Sequence, residues 1–264
     1  MNSASPPFII AHRGASHDAP ENTIVAFKLA WQHEADAIET DIWMTLDGKL
    51  ACIHDRNTER TANRKLDVTT STFAQLQQAD VGLWKGEKWQ GQRIPSLPEV
   101  FRTVPKGRKI FVEVKDSPLV IPALSNVIQD GPLLNDQVIV ISFSKEVVAK
   151  AKDMLPNIKA FLLVAFDDNV NSGSRPASQA SLIKTLREIK ADGVDAAAAD
   201  CVNQDFVKAV HNAGFEFHVW TIDNENLAAR YCSFGIDSIT TNRPKAIRDF
   251  VFKNAPNGRD AKSR

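Results

Sequence analysis

Short apolar runs alternate along the chain with segments in which apolar residues recur every three or four positions. The first run, FIIA, ends abruptly at His12. Beyond it, Ile24, Phe27 and Trp31 fall on one face of an amphipathic segment. Apolar residues at this spacing indicate a helix packed against other structure, and we expect Asn22 to be its N-cap. The opening of the chain is therefore typical of a strand, a polar loop and a helix.

The same unit of strand and helix recurs along the chain. Further strand-like runs, each short and rich in apolar residues, cover residues 36–43, 110–115, 138–143, 160–166, 193–198, 215–220 and 236–240. With the opening run they make eight strands, and a helical segment follows each of them. Eight such units within 264 residues favour an α/β fold, a closed (β/α)8 TIM barrel. An open doubly wound sheet is disfavoured, because no GxGxxG or Walker phosphate loop follows a strand.

Regularity fails between the second and the third strand. Residues 45–95 hold a short helical piece together with several glycines and tryptophans, among them Trp84 and Trp89. A loop of this length that carries its own elements is typical of a functional insertion. We therefore predict a single barrel domain over residues 8–252, with the insertion at 45–95 and a polar C-terminal tail at 253–264.

Composition and charge limit the class of protein further. Hydrophobic residues make up 43% of the chain and charged residues 24%, as in a soluble globular protein with a substantial core. The 32 basic and 32 acidic side chains cancel, which argues against nucleic acid or an anionic membrane surface as a partner. No apolar run approaches the roughly 20 residues of a membrane span. Residues 1–7 do not resemble a signal peptide.

The cysteines bear on the compartment. Cys52, Cys201 and Cys232 are widely spaced and form neither a CxxC pair nor a disulfide framework. We predict that they are reduced core residues and that the protein is cytoplasmic. The sequence is compatible with a homodimer but does not determine the oligomeric state.

Charged side chains stand where the first three predicted strands end. In a parallel barrel these ends meet at one face, where chemistry collects. The residues brought together in this way are His12 and Arg13 on the first strand, Glu39 and Asp41 on the second, and Glu113 and Lys115 on the third. A carboxylate alone in such a place is more often paired with Arg or Lys. Three converging carboxylates make an oxygen-rich site, which suits Mg²⁺ or Ca²⁺ better than Zn²⁺.

The order of short motifs along the chain carries a resemblance to a known family. The motifs HRGAS, PENT, ETD, HD, IPSLPEVF, EVK, SF and WT follow one another between Phe8 and Pro244. In this order they resemble the glycerophosphodiester phosphodiesterase family, in its bacterial cytoplasmic type. The resemblance implies a barrel with a segment inserted after the second strand and a divalent cation. It also implies hydrolysis of glycerophosphodiesters, such as glycerophosphocholine and glycerophosphoethanolamine, to sn-glycerol 3-phosphate and an alcohol.

The same resemblance implies roles for individual residues. It makes His12 and His54 the acid/base pair, Glu39, Asp41 and Glu113 the metal ligands, Arg13 and Lys115 the phosphate contacts, and Asn22 and Trp220 further substrate-binding residues, with Trp220 packed against the glycerol unit. His17 departs from the family, whose members often have glycine there. We expect His17 to face solvent.

Several functions fit these motifs. Two histidines that titrate near neutral pH can serve as base and acid. The nucleophile is either water or the neighbouring glycerol hydroxyl, as in the phosphoinositide-cleaving phospholipases C, and the sequence does not choose between them. A lysophospholipase D-type activity is an alternative that Trp84 and Trp89 would favour. A non-enzymatic phosphoester-binding barrel ranks low, because both histidines and all three carboxylates are present.

Overall fold

The computed structural model describes residues 6–166, 176 and 178–253. In this part of the chain, nine strands form one sheet, and the first strand pairs with both the second and the last. These strands are β1 (Phe8–Ala11), β2 (Ala37–Met44), β3 (Leu50–Cys52), β4 (Lys109–Val114), β5 (Val138–Ser142), β6 (Lys159–Val164), β7 (Gly193–Ala197), β8 (Glu216–Trp220) and β9 (Ser238–Thr241).

Eight of these strands close into a ring. Closure is visible at β1, where Ile10 lies opposite Ala37 of β2 on one side and opposite Thr240 of β9 on the other. All neighbours within the ring are parallel, whereas β3 runs antiparallel to β2 and is not part of it. The (β/α)8 TIM barrel predicted from the sequence is confirmed.

Helices separate the strands of the ring. Those within the described ranges are α1 (Ile24–Gln32), α2 (Phe73–Leu76), α3 (Leu97–Phe101), α4 (Ile121–Gln129), α5 (Lys145–Met154), α6 (Gln179–Glu188), α7 (Gln204–Asn212), α8 (Glu225–Phe234) and α9 (Pro244–Lys253). All except α2 fill the positions of barrel helices. None of these helices combines the length and the apolar composition that crossing a membrane requires.

The start of α1 differs from the expectation. Thr23 is the N-cap, since its backbone is extended and its Oγ1 accepts a hydrogen bond of 3.3 Å from the amide of Ala26. The prediction of Asn22 as the cap is wrong. Asn22 has a φ of +54°, which an N-cap does not adopt, and its side chain is bonded to Thr40 and Asp41 instead.

The two faces of each barrel strand have different roles. On β4, Ile110, Val112 and Val114 pack outwards in the large apolar cluster between strands and helices. Phe111 alternates with them and joins the smaller apolar cluster inside the barrel, whose other buried members are Ile10, Ala37, Ile139, Ile141, Phe161 and Leu163. Because side chains alternate with period two, Glu113 shares the inward face of Phe111. Inward residues near the carboxyl end of a strand therefore face the open end of the barrel.

Residues 45–95 form a compact unit beside the carboxyl ends of the strands. They contain β3, α2 and two short 3₁₀ turns at Leu83–Lys85 and Glu87–Trp89. Their own apolar cluster is built from Ala51, Ile53, Val68, Leu76, Val81 and Ile94. The polar C-terminal tail predicted from the sequence lies, from residue 254 onwards, outside the described residues.

The cysteines do not share one environment. Cys52 of β3 is buried, as predicted, and Cys232 of α8 is half-buried. Cys201 is exposed, so the prediction of a core position is wrong for it. It lies in a turn between β7 and α7, outside the apolar cluster that packs strands against helices.

Candidate active site

A cavity of about 870 Å³ lies at the carboxyl ends of the barrel strands. Its wall on the side of β1, β2, β4 and the insertion is polar and contains His12, Arg13, Glu39, His54, Glu113 and Lys115. Strands β5 to β8 and the residues that follow them contribute the opposite wall. It combines apolar Ile141, Phe143, Leu163 and Trp220 with polar residues, among them Lys145, Glu146 and Asp195. The fold therefore brings together, around one cavity, residues such as His12 and Trp220 that are more than two hundred positions apart in the chain.

Three buried carboxylates form the centre of the polar wall. One oxygen from each of Glu39, Asp41 and Glu113 lies within 4.8 Å of the others. Parallel pairing explains the cluster, since Asp41 of β2 stands opposite Glu113 of β4. Glu39 Oε1 and Asp41 Oδ1 are buried without a hydrogen-bond partner in the described part of the chain. Buried oxygens with unused lone pairs, and no nitrogen or sulfur donor among them, fit a hard divalent cation.

Burial and neighbouring charges shift the pKa values of the three carboxyls in different directions. Burial raises the pKa of Glu39 well above its usual range, and the negative charges of Asp41 and Glu113 act in the same direction. Burial also raises the pKa of Glu113 to about 7. Burial acts on Asp41 as well, but Arg13 and Lys115 outweigh it and hold the pKa of that carboxyl well below its usual range. Additional positive charge would therefore be favourable at this point.

Two cations flank the carboxylates. Arg13 Nε lies 3.2 Å from Asp41 Oδ2, and its Nη1 donates a hydrogen bond of 3.0 Å to Glu21 Oε1. Lys115 Nζ lies 2.8 Å from Glu113 Oε1 and 3.4 Å from Asp41 Oδ1. Both side chains border the cavity, so their charges are available to an anion that enters it.

The turn after β1 has an uncommon backbone. Arg13 has a φ of +56°, a region that residues with a Cβ rarely adopt, and its amide donates to Glu39 Oε2 at 2.9 Å. At Gly14 a Cβ would lie 2.6 Å from the backbone carbon of Ala26, so a side chain has no room between this turn and α1. Such conformations concentrate at functional sites. The HRG motif thus fixes Arg13 against the carboxylates.

His12 is oriented by two residues that sequence reasoning missed. Asn242 donates its side-chain amide to Asp223 Oδ2 at 2.6 Å, so its Oδ1 faces His12 Nδ1 at 2.8 Å. Since Oδ1 can only accept, Nδ1 carries the proton and Nε2 keeps a free lone pair. Burial lowers the pKa of His12 to about 4, and the charge of Arg13 acts in the same direction. His12 is therefore neutral at pH 7.

His54 comes from the insertion, just after β3. Its Nδ1 is 2.6 Å from Asp55 Oδ1, and its backbone oxygen accepts a hydrogen bond of 3.0 Å from Trp43 Nε1. Burial lowers its pKa, while the negative charge of Asp41 and the bond to Asp55 oppose this shift. Both imidazoles border the same cavity.

The remaining residues of interest have clear positions. Asn22 is buried and donates to Asp41 Oδ2 at 2.7 Å, so it orients that carboxylate. Trp220 borders the cavity, donates from Nε1 to the backbone oxygen of Asp195 and meets the ring of Phe143 edge-on at 5.6 Å. The side chain of His17 is 56% exposed, which confirms that it faces solvent.

Comparisons with known proteins agree with this geometry. Residues 12–246 match the glycerophosphoryl diester phosphodiesterase family. A glycerophosphodiester phosphodiesterase of Bacillus subtilis is 32% identical over 89% of this chain and 83% of its own length. One from Caldanaerobacter subterraneus is 30% identical over 93% of this chain and 98% of its own length.

A solved structure shows the same architecture. It is that of an Oleispira antarctica phosphodiesterase in complex with the product sn-glycerol 3-phosphate. It superposes with a TM-score of 0.82 at 25% identity, over 93% of this chain and 97% of that chain. The resemblance carried by the sequence motifs is confirmed. The chain is an enzyme that belongs to the glycerophosphoryl diester phosphodiesterase family.

Proposed function

We propose that the enzyme hydrolyses glycerophosphodiesters such as glycerophosphocholine and glycerophosphoethanolamine to sn-glycerol 3-phosphate and an alcohol. The observation that supports this most is the meeting of three carboxylates, two cations and two imidazoles at one cavity. Hydrolysis requires neutralised phosphate charge, a deprotonated nucleophile and a protonated leaving alcohol. The product bound to the Oleispira antarctica phosphodiesterase supports the same class of product.

Glu39, Asp41 and Glu113 would hold a divalent cation, Mg²⁺ or Ca²⁺. Their oxygens lie close enough to converge on one ion, and two of them, Glu39 Oε1 and Asp41 Oδ1, accept no hydrogen bond in the described structure. When bound, such a cation supplies Lewis-acid stabilisation of the negative charge on the phosphate. Asn22 would act through Asp41, because its side-chain amide fixes one carboxylate oxygen.

Arg13 and Lys115 would hold the non-bridging oxygens of the phosphate. Both border the cavity and both stand beside the carboxylates, so an anion between them meets positive charge on two sides. Charge-assisted hydrogen bonds of this kind are stronger than neutral ones. The backbone of Arg13, fixed by Glu39, keeps the guanidinium in place before substrate arrives.

His12 is the proposed base and His54 the proposed acid. His12 is neutral at pH 7 and keeps a free lone pair on Nε2, as a base requires. Burial lowers the pKa of His54, and the pairing with Asp55 acts against this shift, towards the protonated imidazole that an acid requires. His54 also stands on the insertion, where an outgoing head group would leave the barrel.

Two nucleophiles fit this arrangement, and they differ in their products. If His12 activates water, sn-glycerol 3-phosphate forms directly. If it activates the neighbouring glycerol hydroxyl, that oxygen displaces the head-group alcohol to form a cyclic glycerophosphate, which water then opens to sn-glycerol 3-phosphate. Phosphorus NMR of early time points distinguishes the two routes, because the cyclic phosphate has its own resonance.

The domain limits are part of the proposal. We assign the catalytic function to one domain, residues 8–252, in which the insertion at 45–95 supplies His54 and shapes access to the cavity. Its apolar cluster and the hydrogen bond of 2.7 Å from Lys85 Nζ to the backbone oxygen of Ser16 support this assignment. The cytoplasmic location and the homodimer stay predictions from the sequence.

A second candidate function is hydrolysis of lysophospholipids. Leu83 and Trp84, in the first 3₁₀ turn of the insertion, are each 43% exposed. An apolar surface on the insertion would suit an acyl chain. Rates on lysophosphatidylcholine and on glycerophosphocholine separate the two functions, and Trp84→Ala should raise KM for the former far more than for the latter.

The proposed function is tested by measuring release of sn-glycerol 3-phosphate from glycerophosphocholine. We expect chelation to abolish release, and Mg²⁺ or Ca²⁺ to restore it. Glu113→Gln should remove cation binding in calorimetry and leave the fold intact, because the apolar layers of the barrel lie elsewhere. Glu146→Gln is the matched control, since Glu146 is an exposed carboxylate at the same cavity. Full activity after exhaustive chelation would contradict the proposal.

A further inference from the structure

One buried carboxyl at the cavity has no part in the proposed chemistry. Asp195 lies in the middle of β7, is 1% exposed and borders the same cavity as the proposed catalytic residues. In the register of the barrel it stands opposite Leu163 of β6 and His218 of β8. Its side chain therefore belongs to the wall that faces the three carboxylates across the ring.

The side chain of Asp195 has unused hydrogen-bonding capacity. Its Oδ1 is buried and has no hydrogen-bond partner among the described residues. The imidazole of His218 does not supply one: its Nδ1 is 2.7 Å from Ser238 Oγ, and its Nε2 makes no hydrogen bond among the described residues. A buried polar oxygen without a partner is costly, and a ligand that supplies a partner recovers that cost on binding.

The surroundings of Asp195 define the shape of such a ligand. Trp220 donates its indole NH to the backbone oxygen of Asp195, which ties this ring to the carboxyl. Ile141, Leu163 and Phe143 border the same wall. Apolar side chains next to a buried hydrogen-bonding group suit a short carbon chain that carries hydroxyl groups.

From this geometry we propose that Asp195 is a specificity-determining residue that binds a hydroxyl of the glycerol moiety. The inference rests on the proposed function, because it assigns the glycerol end of the substrate to the wall of β5 to β8. The phosphate would then lie between that wall and the cations Arg13 and Lys115, and the leaving head group would point towards His54 and the insertion.

A hydroxyl fits this position better than a cationic head group. The quaternary ammonium of choline has no hydrogen-bond donor and would leave Oδ1 unpaired. Burial also raises the pKa of Asp195 to about 7, so a large fraction of the carboxyl is protonated at neutral pH. A protonated carboxyl both donates and accepts, which matches the two hydrogen-bonding roles of a hydroxyl.

The test compares two phosphates that differ in hydroxyl groups alone. sn-Glycerol 3-phosphate and propyl phosphate are used as competitive inhibitors of the full-length enzyme at saturating Mg²⁺. We expect the wild type to prefer sn-glycerol 3-phosphate. Asp195→Val should reduce this preference by about 10- to 100-fold, because one buried hydrogen bond is lost, and leave inhibition by propyl phosphate nearly unchanged.

Two controls keep the outcomes apart. Asp195→Ala removes the carboxyl without adding apolar bulk and serves if Asp195→Val does not fold, and Glu146→Gln should leave the preference unchanged. The inference is overturned if the Asp195 variants lose affinity for both inhibitors equally, or if their preference for sn-glycerol 3-phosphate is unchanged. If wild-type enzyme releases no sn-glycerol 3-phosphate from glycerophosphocholine, the proposed function itself fails.

Discussion

The pKa of His12 determines the pH at which the proposed base is ready. Burial lowers this pKa from 6.5 to about 4, so the neutral imidazole already dominates at pH 5. A cation bound at the carboxylates adds positive charge and acts in the same direction. Because the pKa of His54 is lowered as well, we expect the whole bell of kcat/KM to lie on the acidic side of that for two ordinary histidines.

The measurement is kcat/KM against pH, at a cation concentration that saturates the enzyme at each pH. Saturation is needed because protons compete with the cation for Glu39 and Glu113. The acidic limb should fall near pH 4 and disappear in the residual activity of His12→Ala. A limb at 6.5 or above would show that His12 is not the base.

The two imidazoles should also differ in their response to the leaving group. His54→Ala removes the proposed proton donor, so kcat on glycerophosphocholine should fall by roughly 10²- to 10⁴-fold. A nitrophenyl ester departs without a proton, and on that substrate the same variant should be close to wild type. His12→Ala should be impaired on both substrates. The reverse pattern would show that His12 is the acid and His54 the base.

Not every residue of the site could be predicted from the sequence. Glu39, Asp41 and Glu113 could, because period two and the end of a strand determine their face and level. Asn242 and Asp223 could not, since they lie in loops far along the chain from His12 and no periodicity constrains them. An Asn directly after the strand that closes the barrel is the signal that could have identified the first of them.

At the scale of elements, Arg60 joins the insertion to the loop after β1. Its Nε donates to Asp55 Oδ2 at 2.7 Å, and its Nη1 and Nη2 donate to both oxygens of Glu21 at 2.8 and 2.7 Å. Asp55 contacts His54, and Glu21 contacts Arg13. The pair of oxygens on Glu21 makes this a bidentate contact, which fixes direction as well as distance.

Loss of this contact should affect catalysis more than stability. Arg60→Gln should lower kcat by about 10- to 100-fold, because a small displacement of His54 relative to the phosphate site is costly. Tm should change little, since Arg60 is largely at the surface. Arg60→Lys should recover part of the rate. Arg56→Gln, which breaks an exposed pair with Asp67 in the same insertion, is the matched control.

If Arg60→Gln and Arg56→Gln lowered kcat equally, Arg60 would have no special positioning role.

The insertion also shows the limit of sequence reasoning for elements. Its strand β3 has three residues, which is too short for alternation to be recognised, so the antiparallel pairing with β2 was not predicted.

At the scale of the whole molecule, repetition made the fold predictable. Eight strand and helix units each bury one face against their neighbours, and a ring is the arrangement in which no strand of the barrel is left without a partner. Closure itself depends on pairing between β1 and β9, which are separated by most of the chain. No pattern of apolar and polar residues within a short segment predicts such a contact. Only the number of strand and helix units indicated that the barrel is closed.

The carboxylates couple this fold to the cation. The pKa of Glu39 is higher in the folded protein than its ordinary value of 4.5, which applies to the unfolded chain. The free energy of unfolding therefore falls as the pH rises from 4.5 towards the folded-state pKa. Without a cation, burial of Glu39 beside Asp41 and Glu113 therefore lowers the stability of the folded enzyme at pH values above 4.5. With a cation at 100 times its Kd, binding to the folded state stabilises it by about 2.7 kcal/mol, provided the unfolded chain does not bind.

Glu39→Gln should consequently change Tm in opposite directions under the two conditions. At pH 8 with a chelator, the variant should melt above the wild type, because a buried carboxyl with a raised pKa is removed while an oxygen remains to accept a hydrogen bond from the amide of Arg13. With saturating Mg²⁺, the wild type should gain several °C and the variant little, which reverses the order. Differential scanning calorimetry with and without the cation measures both. A change of the same sign in the two conditions would show that Glu39 is not a cation ligand.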